Sequence, residues 1–177
     1  MKRMITLVAT AATLAVCTGA FAQATGSART DMTPHYFSFR AGAVFPFDSS
    51  LSDVQKTWIG IGADWRLPSS LLKDGETYVS VDWVGQDTKG TNGNAFPIML
   101  NQKFWGEDSG SGRAYAFAGV GVVFFDQGPS DNVLGMRGGV GKELSRMVFI
   151  EAALTLSEKA KGGQRLNSLA AYIGYRF

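Results

Sequence analysis

In 177 residues, charged side chains make up 18% and glycine numbers 22, a low-charge, glycine-rich balance against the about 25% charged and about 7% glycine of soluble domains. Seventeen basic and fifteen acidic residues give a formal charge of +2 and a pI of about 8.7; without a basic block this offers no electrostatic case for nucleic acid. One cysteine excludes an intrachain disulfide framework.

At the start of the chain, Lys2 and Arg3 precede an apolar stretch from Met4 to Val16, broken only by three threonines, and then Ala20-Phe21-Ala22, a small-x-small cleavage site. Residues 1–22 read as a secretory signal peptide cut after Ala22. Cys17 raises a lipoprotein signal as an alternative, but Val16 stands where a small residue normally precedes that cysteine. Cleavage removes two bases, no acid and the only cysteine, leaving 15 basic and 15 acidic residues. No other segment approaches the ~20 apolar residues of a spanning helix. Residues 23–35 read as a short periplasmic lead, and 36–177 as one domain.

Eight segments of about ten residues follow, separated by turn residues, which is the pattern of a transmembrane barrel. They are Tyr36–Phe45, Thr57–Leu67, Thr77–Val84, Phe96–Trp105, Arg113–Phe125, Val133–Lys142, Val148–Ser157 and Ser168–Phe177. The expected fold is an all-β, eight-stranded, antiparallel, up-and-down barrel. An even count leaves both termini on the periplasmic side. Pro46–Lys56, Gly85–Ala95, Asp126–Asn132 and Glu158–Asn167 are then outer loops, and Pro68–Glu76, Gly106–Gly112 and Glu143–Met147 periplasmic turns.

Side chains alternate across a strand, and a base at mid-bilayer on the lipid face costs about 2–4 kcal/mol, so one phase of each strand should be free of charge. Strand one offers Phe37, Phe39, Ala41, Ala43 and Phe45; strand two Ile59, Ile61, Ala63, Trp65 and Leu67; strand three Val79, Val81 and Trp83. Strand four shows Ile98, Leu100 and Phe104, with Gln102 out of character. Strand six shows Leu134, Met136 and Val140, with Lys142 outward only at the periplasmic end; strand seven shows Val148, Ile150, Ala152, Leu154 and Leu156. Strand five is apolar on both faces. Placing aromatics at both interfaces turns Tyr115, Phe117, Val123 and Phe125 outward.

The last strand puts Leu169, Ala171, Ile173, Tyr175 and Phe177 on one wall and carries it to the final residue. A terminal Phe preceded by apolar residues at every second position resembles the closing strand of bacterial outer-membrane β-barrels. Residues 36–177 are similar to the small barrels of the OmpX type and the transmembrane domain of OmpA. The resemblance implies an outer-membrane location, with membrane lipid and lipopolysaccharide as neighbours and the barrel-assembly machinery as the reader of the last strand. It also implies a monomer with a structural or surface-interaction role, no catalysed reaction and no cofactor.

The opposite phase gathers Arg40, Asp64, Arg66, Asp82, Lys103, Arg137, Glu151 and Arg176 in the lumen. Eight strands enclose room for side chains and little else, and isolated buried charges are costly, which favours a paired, hydrogen-bonded plug. A narrow water or ion path, for which interior charges are the usual sign, is the alternative; a soluble periplasmic ligand-binding barrel is a further one.

Catalytic signatures are weak. The one histidine, His35, precedes the first strand, away from outer-leaflet lipid. Gly135–Lys142 fails as a phosphate loop, since Met136 replaces the first glycine and Glu143 the following Ser/Thr; close packing explains its glycines better. Asp126–Asn132 lacks the spacing of a calcium loop, so no metal is expected. In the last outer loop, Lys159, Lys161 and Arg165 lie where lipopolysaccharide phosphates could accept charge-assisted contacts, although an ordinary solvated loop explains them too.

Overall fold

The computed structural model describes residues 36–53, 55–73, 75–86, 93–108, 112–126 and 131–177. Eight strands run in chain order: β1 (Phe37–Pro46), β2 (Trp58–Arg66), β3 (Gly75–Gln86), β4 (Gly93–Asp108), β5 (Arg113–Phe125), β6 (Asp131–Glu143), β7 (Val148–Ser157) and β8 (Ser168–Arg176). Each pairs antiparallel with the next, and β8 returns to β1, closing the ring. The expected eight-stranded, up-and-down barrel is the fold. The closing seam runs from Ser38↔Arg176 to Pro46↔Ser168, and the Phe177 amide extends it by donating to the Phe37 carbonyl at 2.9 Å. The start of β1 and the end of β8 lie at one end, called the terminal end; the connections β1–β2, β3–β4, β5–β6 and β7–β8 form the loop end.

Three details depart from the sequence reading. The β3–β4 hairpin is longer than expected, because Gly85↔Asn94 and Gln86↔Gly93 continue the ladder through residues that read as loop. Gly85 can stay in the strand because the Trp83 indole lies over its bare Cα and donates to Asn94 Oδ1 at 3.1 Å. Secondly, the β1–β2 connection holds a single helical turn, α1 (Ser49–Ser52), whose start is capped by Asp48 accepting from the Ser50 amide. Thirdly, β5 has the opposite phase to the one expected. Tyr115, Phe117, Val123 and Phe125 are buried in the lumen, and Ala114, Val120 and Phe124 face out.

Space explains that phase. Two inward positions of β6 across from β5 are glycines, with Tyr115 beside Gly141 and Phe117 beside Gly139, and each ring occupies the volume that a Cβ on its glycine would need. An aromatic lying over a cross-strand glycine fills the interior without crowding it. The outward Gln102 is likewise accommodated, since Thr77 Oγ1 donates to its Oε1 at 2.6 Å and its Nε2 donates to Ser70 Oγ at 3.0 Å. The β3–β4 ladder steps from Val81↔Ile98 to Val84↔Ala95, and the gap faces Pro97, which has no N–H to give.

Adjacent glycines test this account. A Cβ at Gly141 would lie 2.7 Å from Tyr115 Cε1, whereas one at Gly138 meets only the Phe117 carbonyl at 3.5 Å. Gly141→Ala should destabilise the barrel by about 1–3 kcal/mol and lower the temperature at which the folded band converts on SDS gels. Gly138→Ala should stay within about 0.5 kcal/mol; equal behaviour of the two variants would remove the spatial argument.

Candidate functional site

The lumen has two halves of different chemistry. Towards the loop end the inward positions are apolar: Val44 of β1, Trp58 of β2, Val84 of β3, Met99 of β4, Val123 of β5 and Val133 of β6 are all buried. Leu51 of α1 and Leu166 of the β7–β8 connection join the same cluster. The two loops are tied to each other and to the wall, with the Arg165 amide donating to Ser50 Oγ at 3.2 Å and the Phe47 amide to the Asn167 carbonyl at 2.9 Å.

Towards the terminal end the inward positions are ionic. Asp82 accepts from Arg40 Nη2 at 2.7 and 2.9 Å and from Arg137 Nη1 at 3.1 Å. Arg40 also pairs with Asp64, to which Ser38 Oγ donates at 3.1 Å. On the other side Arg137 Nη2 donates to Glu151 Oε1 at 2.7 Å, and the Tyr115 hydroxyl to Glu151 Oε2 at 3.1 Å. The result is one chain of alternating charge, Asp64–Arg40–Asp82–Arg137–Glu151, spanning β2, β1, β3, β6 and β7. Tyr172 lies within cation–π range of both guanidinium groups, at 5.4 Å from Arg40 and 5.6 Å from Arg137. Gly62 makes this packing feasible, since a Cβ there would meet the Asp82 carboxylate and the Arg40 guanidinium.

Of the eight charges assigned to the lumen, five form that chain. The other three lie nearer the terminal-end mouth. Arg176 pairs with Glu143, Arg66 is half exposed and pairs with Glu76 at 3.2 Å, and Lys103 is buried among the Tyr78, Trp105 and Tyr115 rings at 4.6 to 5.4 Å from their centroids. Glu76 and Glu143 were read as turn residues. Their inward role was detectable, because each continues an alternation: Glu76 with Tyr78, Ser80 and Asp82, and Glu143 with Gly141, Gly139 and Arg137. A cavity of about 130 Å³ opens among these mouth residues.

The outward set at the end of the chain, Leu169, Ala171, Ile173, Tyr175 and Phe177, is exposed along one wall. Phe177 packs edge-on against Phe39 at 5.8 Å and Tyr175 at 5.0 Å. Lys159, Lys161 and Arg165 are exposed at the loop end, away from the ion-pair chain. His35, the signal-peptide segment and residues 127–130 of the proposed turn lie outside the described residues.

The ion-pair chain predicts a graded response. Asp82→Ala leaves Arg40 and Arg137 facing each other without the shared carboxylate, and should cost about 3–5 kcal/mol. Ser38→Ala removes one peripheral hydrogen bond and should cost about 1 kcal/mol. Urea unfolding of the two variants in micelles measures the difference; similar midpoints would show that Asp82 is not the centre of the network.

Two solved structures share this barrel. That of Neisserial surface protein A matches with a TM-score of 0.51 at 16% identity, over 80% of this chain and 97% of that one. That of the outer membrane enzyme PagL matches with a TM-score of 0.54 at 16% identity, again over 80% of this chain and 97% of that one. The likeness is one of fold: a closed, eight-stranded antiparallel barrel. No family model matches the sequence, and no curated protein does.

Proposed function

We propose that this chain is an integral outer-membrane β-barrel protein with a structural or surface-interaction role, and that its filled lumen does not conduct. The observation that carries this is the reversed polarity of the barrel. Away from the terminal-end rim, no outward strand position among the described residues carries a charge. Ile59, Ile61, Val81, Ile98, Val120, Leu134, Val140 and Ile173 are all well exposed there, while Arg40, Asp64, Asp82, Arg137 and Glu151 point inward and pair. In water that arrangement would leave a large apolar surface without a partner; in lipid it is the stable one, because a closed ring also leaves no open sheet edge. Trp65, Phe37, Phe39, Tyr175 and Phe177 at the terminal end supply the aromatic residues favoured at a membrane interface.

The apolar loop-end half of the lumen argues against the porin alternative, since a conducting path needs either water or fixed polar ligands along its whole length. The soluble ligand-binding alternative requires apolar side chains turned towards a ligand, and here they are turned outward as well. PagL is an enzyme, but the chain's one histidine precedes β1, and the lumen carboxylates of the ion-pair chain are each engaged by arginine. We infer a non-catalytic role on that basis. The apolar face of β8 is the proposed signal to the assembly machinery, and Lys159, Lys161 and Arg165 are proposed contacts for lipopolysaccharide phosphates.

Three measurements test this reading. The processed chain should fractionate with outer membranes and migrate faster on SDS gels before boiling than after; a detergent-independent soluble form would end the proposal. In planar bilayers it should give no discrete single-channel steps, and reproducible steps would favour the porin alternative. Alanine at Lys159, Lys161 and Arg165 together should lower lipopolysaccharide co-purification several-fold, with unchanged lipid content counting against that contact.

A further inference from the structure

The cavity at the terminal-end mouth is unevenly charged. Five basic residues line it, Arg66, Lys103, Arg113, Arg146 and Arg176, against the three carboxylates of Asp64, Glu76 and Glu143. All three carboxylates have partners: Asp64 holds Arg40, Glu76 holds Arg66, and Glu143 holds one side of Arg176. Lys103 and Arg176 are left with donors unused. Among the described residues no oxygen accepts from the Lys103 ammonium, although the residue is only 8% exposed. Its neighbours are the faces of Tyr78, Trp105 and Tyr115. Arg176 Nη2 is buried and makes no hydrogen bond, and its guanidinium lies over two of those same rings, 5.3 Å from Trp105 and 6.0 Å from Tyr115.

Two cations thus share a pair of aromatic rings in a largely desolvated space. Cation–π contacts recover part of the cost of burying them. They do not satisfy N–H donors, and they do not offset the repulsion between like charges where the dielectric is low. An oxyanion between the two would do both, through charge-assisted hydrogen bonds to the ammonium and to the free Nη2 edge of the guanidinium. A cavity of about 130 Å³ has room for a phosphate or carboxylate group, and the chain of ion pairs beneath it closes the way to deeper penetration.

We propose that the terminal-end mouth of the barrel is a binding site for a small oxyanion, phosphate or carboxylate, held between Lys103 and Arg176 and framed by Arg66, Arg113 and Arg146. The site faces the side of the membrane that bears the start of β1 and the end of β8, opposite to the loop-end lysines, so it is independent of any lipopolysaccharide contact.

The test is calorimetric titration of the processed barrel, folded in non-ionic maltoside micelles at neutral pH and low salt, with inorganic phosphate and separately with acetate. Saturable binding of either is expected, and the two arms distinguish a phosphoryl from a carboxyl ligand. Lys103→Gln should weaken it by at least about tenfold, Lys103→Arg should retain most of it, and Lys56→Ala, exposed in the β1–β2 connection at the far end, should leave it unchanged. Folding of each variant is checked by heat-modifiable migration. Should Lys103→Gln fail to fold, Arg113→Gln at the rim provides the second reading, with an expected loss of about threefold or more. Absence of saturable binding to both anions, or a folded Lys103→Gln or Arg113→Gln that titrates like the unsubstituted barrel, overturns the proposal.

Discussion

Asp82 sits between two guanidinium groups, and much of the interior is arranged to keep it there. Among the described residues its carboxylate is the one that accepts from both Arg40 and Arg137, joining the Arg40–Asp64 pair on β1 and β2 to the Arg137–Glu151 pair on β6 and β7. These strands are not neighbours around the ring, so the contact joins opposite walls. A buried ion pair gives little net stability against apolar residues of the same shape, yet removing one partner is expensive. The chain of charges therefore acts mainly as a constraint on which wall meets which. The glycine at position 62, the serine at 38 and the tyrosines at 115 and 172 are the complement it needs: space, a donor, another donor and an aromatic face.

The division of the lumen follows from the same economy of charge. Ionic residues can be buried only where enough partners converge, and the terminal half supplies them from six strands. In the loop half the strands offer valine, methionine, alanine and phenylalanine instead, and the first and last loops fold over them with Leu51 and Leu166. The two halves exclude water by different means, one by dry packing and the other by a chain of paired charges. Their boundary lies near the level of Asp82 and Pro97, where the wall between β3 and β4 lacks part of its ladder.

Most of the architecture was legible from alternation alone. Wherever a strand carried charge on one phase, as in β1, β2, β3, β6 and β7, the period of two fixed which way it faced. β5 failed because it lines both the dry half of the lumen and the aromatic layer beneath, and so has no charged phase to read. A preference for aromatics at membrane interfaces then pointed the wrong way, since Tyr115 and Phe117 are needed inside to cover Gly141 and Gly139. The glycines themselves held the missing information: a bare Cα on an inward phase calls for a large side chain on the adjacent strand. Glu76 and Glu143 were lost for a different reason. Turn residues around them masked an alternation that continues to the rim. Pairing between named carboxylates and bases depended on register, which single-strand patterns do not contain.

Seven of the eight strand pairings join segments adjacent in the chain, and the eighth joins β1 to β8 across almost the entire described length. Hairpins of the first kind can form early and cheaply, because each closes a short loop; the seam carries the largest entropic penalty and is reached last. Until then β1 and β8 are both open edges, each able to accept a strand from another molecule. A nascent barrel is thus exposed to mispairing for as long as its two ends remain apart, and its final stretch decides whether it becomes a monomeric ring or a template for aggregation.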